Sequence, residues 1–235
     1  MGQAHIASLS ELADQVAEQG WVVTEPVVEP ALLEQTIQEV AHLPAAAGIR
    51  NLLDHAAAAG AMARHPAVRA IPECMLGATC FVARAILFDK TPDCNWKVPW
   101  HQDLTIAVRE RRDTPGFGPW SVKEGVHHVQ PPAEVLQRMV TIRVHLDECS
   151  ADNGPVRVIP GSHRHGTLAP AAAEALRQRT PEVTCAVARG GILAFAPLVL
   201  HASSPATSPR RRRVAHFEFA VDDLPGGLQW ETKWR

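Results

Sequence analysis

The sequence predicts an α+β chain whose helices come first and whose core is an antiparallel β-sandwich or barrel. Three observations carry this expectation. Capped, alanine-rich segments with an apolar stripe fill the first third of the chain. Short β-rich runs of apolar and β-branched residues fill the remainder. Turn residues separate those runs: Asp152-Asn153-Gly154, Pro160-Gly161 and Gly190-Gly191. Helices followed by many short strands point to a mainly β core with flanking N-terminal helices.

Residues 8–19 (SLSELADQVAEQ) read as an amphipathic helix. Ser8 or Ser10 can cap its free amides, Leu9, Leu12 and Val16 form the stripe, and Gly20 ends it. GWVVTEP then reads as a short strand. Residues 30–43 form a second helix with Pro30 in the first turn. Helical character continues to about residue 76. Strands are expected in 78–88, 139–147, 155–161, 183–195 and 212–221. The stretch 107–138 is rich in Gly, Pro and charge and reads as a long loop of the lid or binding type.

The 235 residues suit one domain, with 1–77 as helical support and 78–221 as the β core. A formal net charge of −2 gives no global sign of nucleic acid or of an anionic membrane as partner. The N-terminus lacks the basic and apolar regions of a secretory signal, and no apolar stretch approaches the roughly 20 residues that span a bilayer. The five cysteines are scattered without a C-x-x-C pair, so reduced thiols in a cytoplasmic protein are expected. Nothing in the sequence speaks to oligomeric state.

The segment VPWHQDLTI contains His101-Gln102-Asp103. On a strand, positions i and i+2 share a face, so one imidazole and one carboxylate can converge on a metal. His201, after the apolar run GILAFAPLVL, is the best third ligand. Two histidines and one carboxylate leave open positions on an octahedral ion, which suits Fe(II), a chelating co-substrate and O2. Arg212 follows His201 by 11 residues. If the chain returns on a neighbouring strand, Arg212 lands beside the metal pocket and can grip a carboxylate, with Ser203 and Ser208 as added hydrogen-bond partners. Strand alternation turns Arg211 and Arg213 away, into a solvated basic turn, and leaves Arg210 open.

Three motifs in order resemble the phytanoyl-CoA dioxygenase family. They are Trp100-His101-Gln102-Asp103; Asp152-Asn153-Gly154-Pro155 followed by Ile159-Pro160-Gly161-Ser162-His163; and His201-x-Ser203 with Arg212 behind it. The resemblance covers about residues 17–221. It implies a double-stranded β-helix, a cupin-like jelly roll. It also implies His101, Asp103 and His201 as iron ligands, and Arg212 and Ser203 on the far carboxylate of 2-oxoglutarate. Arg143 and Lys90 are further candidate co-substrate contacts by position. Arg143 departs from the aromatic that relatives carry, which points to a different pocket or an anionic substrate. Asp103 sets the chain apart from the related halogenases, which carry a small residue there.

Other residues have blander readings. His163 and His165 in the PGSHRHG turn are read as structural, and His145 and His216 as core or pocket-supporting residues. His127 and His128 are read as loop histidines. Trp120, in the long loop, and Gln102 are candidate substrate contacts. The expected activity is Fe(II)- and 2-oxoglutarate-dependent oxidation of an unactivated C–H bond of a small molecule, with release of succinate and CO2. The alternatives are a metal-dependent hydrolase or isomerase on a cupin-like barrel, which would not need Arg212, and a non-catalytic binding protein on the same fold.

Overall fold

The computed structural model describes residues 8–235; the first seven positions of the N-terminal reading lie outside the described residues. Helix α1 (Leu9–Gln19) begins with a capping box in which Ser8 and Glu11 satisfy each other's free amides. It ends at Gly20, whose φ of 86° is left-handed and suits a residue without Cβ. Strand β1 (Trp21–Val23) follows. Helix α2 (Pro30–Glu39) stops four residues before the expected end, where the Val40 N–H turns back onto the carbonyls of Thr36 and Gln38. A short strand, β2 (Ile49–Arg50), interrupts the expected helical run. Helices α3 (Leu52–His55), α4 (Ala57–Arg64) and α5 (Pro66–Leu76) complete the support.

The β core begins with β3 (Phe81–Lys90) and β4 (Val98–His101). The stretch read as one long loop instead holds β5 (Ile106–Val108), β6 (Trp120–Lys123), β7 (Val126–Val129) and α6 (Ala133–Leu136). Gly and Pro masked the short alternating runs between them, and β6 and β7 pair antiparallel with Val129 opposite Trp120. The chain continues through β8 (Met139–His145), β9 (Val156–Val158), α7 (Pro170–Arg179), β10 (Val183–Cys185), β11 (Ile192–Phe195), β12 (His201–Ser203) and β13 (Arg212–Ala220). The expected strand 183–195 is thus two strands, broken near Gly190-Gly191, that belong to different sheets.

Six strands form a major sheet in the order β1-β11-β8-β13-β3-β2, and four form a minor sheet in the order β10-β9-β12-β4. Strands β5, β7 and β6 form a third, small sheet. All described pairings are antiparallel, as in a double-stranded β-helix.

The faces of the major sheet sort by period-two alternation. Ala215, Phe217 and Phe219 of β13, with Ile142 and Val144 of β8, pack outward onto Val16, Leu33, Met62 and Ile71 of the helices. Each large apolar side chain buried there contributes about 1.5–3 kcal/mol. The alternate residues form cross-strand rows on the opposite face. Arg212 lies opposite Lys90, Val214 opposite Phe88 and His145, His216 opposite Arg143, and Glu218 opposite Arg84 and Thr141. No helix among the described residues is long and apolar enough to cross a membrane.

Candidate metal centre

Strands β4 and β12 pair so that His101 and His201 stand directly opposite each other. Their ring centroids are 4.2 Å apart. Each ring is held in the same way. Nδ1 of His101 lies 2.9 Å from the Pro99 carbonyl, and Nδ1 of His201 lies 3.0 Å from the Val199 carbonyl. A carbonyl can only accept, so each Nδ1 carries the proton and each Nε2 presents a lone pair. Asp103 meets both: its oxygens lie 3.5 Å from His101 Nε2 and 3.8 Å from His201 Nε2. One donor atom from each of the three residues lies within 4.8 Å of the others, the one such group among the described residues.

Asp103 arrives by a different route from the one expected. Strand β4 ends at His101, so the pleat does not place the carboxylate. The turn beyond it does, fixed by the Asp103 N–H donating to the Pro197 carbonyl at 2.9 Å. Likewise, His201 does not end the apolar strand β11. The chain crosses between sheets at residues 196–200, and His201 opens β12 in the minor sheet.

Electrostatics fit a cation at this point. Burial opposes ionisation of Asp103, but the two imidazoles outweigh it and hold the carboxyl well below its usual range. Burial pushes His201 down to about 4, so its imidazole is neutral. His101 is also penalised by burial, yet its hydrogen bond to Asp103 and the carboxylate charge raise it overall. Asp103 therefore favours one positive charge within reach, supplied by a proton on His101 or by a metal ion. Two neutral imidazole nitrogens and one carboxylate on one face suit a ferrous ion with open positions.

The triad opens into a cavity of about 330 Å³ between the two main sheets. Arg212 lines it from the opposite sheet, not from a strand neighbouring β12 as the sequence suggested. It is 3% exposed. Its Nη1 donates to the Gly154 carbonyl and to Cys149 Sγ, and its Nε has no partner among the described residues. Gly154 has a φ of +62°, and a Cβ there would sit 2.7 Å from the Ser204 carbonyl, which explains the glycine. Ser203 also lines the cavity, with Oγ donating to the Gly154 carbonyl at 3.0 Å. Arg143 lines it beside His216.

Three other expectations are corrected. Lys90 lies outside the cavity lining, fully buried, and its Nζ donates to the carbonyls of Trp96 at 2.9 Å and Ser204 at 3.1 Å. It ties down the two loops that frame the cavity, and burial with the nearby Arg212 lowers it to about 8. The Gln102 carboxamide is spent on backbone: Nε2 donates to the Gly166 and Leu198 carbonyls, and Oε1 accepts from the Leu168 N–H. These three backbone partners hold it, so it is a brace and not a substrate contact. Trp120 packs in the apolar cluster beneath the small sheet and does not line the cavity.

His128 is a buried strand residue, not a loop histidine, and His163 Nε2 bonds the Ala17 carbonyl, a structural role. In the basic run Arg210 and Arg211 are exposed, Arg213 is half-buried, and the three charges are paired. Arg210 pairs with Asp152, Arg211 with Asp89 and Arg213 with Asp147, while Arg212 alone turns inward. Sequence reading missed Arg84 and Glu218, which form a buried ion pair on the cavity face of the major sheet. The signal was present. Each is a charge inside an apolar strand, and Glu218 shares the period-two phase of His216 and Arg212.

Known structures share this architecture. AviO1 from Streptomyces viridochromogenes Tue57 is 18% identical, with a TM-score of 0.68 over 95% of this chain and 99% of that one. SnoN, a non-haem alpha-ketoglutarate-dependent epimerase from nogalamycin biosynthesis, is 16% identical, with a TM-score of 0.68 over 96% and 93%. EctD from S. alaskensis, solved with 2-oxoglutarate and 5-hydroxyectoine, is 18% identical, with a TM-score of 0.67 over 89% and 74%. No curated protein matches the chain in sequence. The family model for phytanoyl-CoA dioxygenase matches residues 16–214, a span that holds all three motifs, the triad and Arg212, and the chain belongs to that family of non-haem iron, 2-oxoglutarate-dependent oxygenases.

Proposed function

We propose that the chain hydroxylates an unactivated C–H bond of a small molecule, with His101, Asp103 and His201 holding Fe(II), and Arg212, assisted by Ser203, holding the distal carboxylate of 2-oxoglutarate. The single observation that carries this reading is a convergent two-histidine, one-carboxylate triad sharing a cavity with a buried arginine that has no acidic partner. A hydrolase or isomerase would have no use for that arginine. When bound, iron and 2-oxoglutarate supply the oxidising chemistry, coupling O2 reduction and loss of CO2 from the oxo acid to oxidation of the substrate.

The chain's own residues do the rest. The Pro99 and Val199 carbonyls orient the imidazoles, Asp103 adds the negative charge, and Arg212 offers a charge-assisted contact to a carboxylate that reaches the far end of the cavity. The surrounding sheets limit water, which strengthens both contacts. The small-molecule substrate follows from the modest cavity. We take residues 1–235 as one catalytic domain, located in the cytoplasm.

Anaerobic titration of the metal-free protein with Fe(II) and then 2-oxoglutarate tests the reading. The expected result is the weak visible charge-transfer band of a chelated 2-oxo acid. Metal binding without the band would transfer the chain to the hydrolase or isomerase reading, and absence of metal binding would leave a non-catalytic fold. Product analysis separates hydroxylation from epimerisation or ring closure.

A further inference from the structure

The cavity wall opposite the metal ligands carries more positive charge than the co-substrate consumes. This rests on the reading above, in which Arg212 takes the distal carboxylate. Arg143 is then left over. It is 8% exposed, and its Nε has no partner among the described residues. Its Nη1 meets Nδ1 of His216 at 3.4 Å. A guanidinium cannot accept, so His216 accepts through Nδ1 and carries its proton on Nε2, which donates to Glu218 at 3.2 Å. Glu218 in turn is paired with Arg84. The relay therefore aims Arg143 without neutralising it, because Arg84 already balances the Glu218 charge.

The other acids nearby are also engaged. Asp89 holds Arg211 and Asp147 holds Arg213. Asp103, assigned to the metal, is the one carboxylate among the described residues lining the cavity. Burial and Arg212 lower Arg143 to about 10, which leaves it cationic at neutral pH. Lys97 adds a further cation to the lining, while Phe88, Trp96, Val98 and Val156 supply apolar surface. The Arg143 guanidinium carbon lies 4.9 Å from the Phe88 ring centroid. A buried, uncompensated guanidinium is costly in a folded protein, and an anion arriving from solution removes that cost.

We propose that Arg143 anchors an anionic group of the substrate, so that the substrate class is a small organic acid whose carboxylate sits on Arg143 and whose apolar body packs against Phe88 and Trp96. The arrangement makes three carboxylate contacts in the loaded cavity: two ends of the co-substrate and one of the substrate.

Benzoate and its neutral counterpart benzamide are suitable probes. Each is added to the anaerobic protein loaded with Fe(II) and 2-oxoglutarate, with the charge-transfer band and the melting temperature followed together. Benzoate is expected to shift the band while preserving it and to raise the melting temperature; benzamide is expected to do neither. Arg143→Met should weaken benzoate at least on the order of tenfold more than it weakens 2-oxoglutarate. Arg212→Met should show the reverse preference, and Arg143→Lys should restore part of the benzoate affinity. Arg143→Met should also raise the melting temperature of the ligand-free protein, because it removes an unpaired buried charge. A purely structural arginine would lower it.

Loss of the band on adding benzoate would mean competition at Arg212 and would overturn the proposal. So would equal effects of benzoate and benzamide, no benzoate effect at millimolar concentrations, or a larger loss of 2-oxoglutarate than of benzoate in Arg143→Met. Absence of the band from the wild-type protein before any benzoate is added would instead sink the oxygenase reading. The melting-temperature response to benzoate in the metal-free protein would then still report on Arg143.

Discussion

The two walls of the cavity are built from different kinds of sequence. The minor-sheet wall carries the candidate metal ligands on two short strands and the turn after β4, and two of the three lie within a four-residue motif. The major-sheet wall carries its charges on long strands, spaced two or more residues apart along β3, β8 and β13 and matched by register. The first wall tolerates little change because three donor atoms must meet at one point. The second carries several cations, and in the proposed reading Arg212 and Arg143 divide anion binding between them. Local motifs thus specify a point, and extended strands specify a field.

That difference ranks the expected effects of mutation. Asp103→Ala on the metal wall should produce the largest, with succinate formation abolished and Fe(II) no longer raising the melting temperature while the fold persists. Near-normal turnover in that variant would remove Asp103 from the ligand set. Arg212→Met on the opposite wall should retain iron binding and weaken 2-oxoglutarate by about 1.5–3 kcal/mol, or roughly 10- to 150-fold. A co-substrate affinity unchanged in calorimetry would show that the long-strand wall does not hold it.

A brace behind the metal wall should matter less. Gln102→Leu strands the Leu168 N–H and two carbonyls, so a loss of about 1–3 kcal/mol in urea unfolding is expected, with co-substrate affinity changed less than in Arg212→Met. The smallest effect concerns pH and the charged wall. Burial, then Arg143 and Arg212, hold His145 well below its ordinary value near 6.5. A group whose folded pKa is depressed binds a proton more readily when unfolded. Its contribution is therefore complete above about pH 6.5 and lost as pH falls below it, by up to about 1.4 kcal/mol per pH unit. His145→Leu should flatten unfolding free energy between pH 7 and 5. An unaltered slope would mean that burial and the neighbouring arginines together do not depress His145.

The metal motif was legible because its residues are close in sequence and of uncommon type. The helix cap was legible for the same reason, since Ser8 and Glu11 are three residues apart. The inward turn of Arg212 and the outward turn of Arg211 and Arg213 followed from alternation. The small three-stranded sheet was hidden by its glycines and prolines, which mark turns without showing what pairs across them. Lys90 was misread because position on a strand does not reveal that two carbonyls from distant loops will claim its ammonium group.

The sequence by itself made legible the fold class, the order of the motifs and the His101–Asp103 pair, because each depends on residue type, patterning and short spacing; His201, 100 positions further on, was legible from its place after an apolar run and from the family resemblance. Only the tertiary structure decided that Arg212 faces His201 from the opposite sheet. It alone decided which acids neutralise which arginines, and that Arg143 remains without one. Those outcomes depend on strand register and sheet order, where partners far apart in sequence, such as Arg84 and Glu218 at 134 residues, meet through pairing energies that no local window contains.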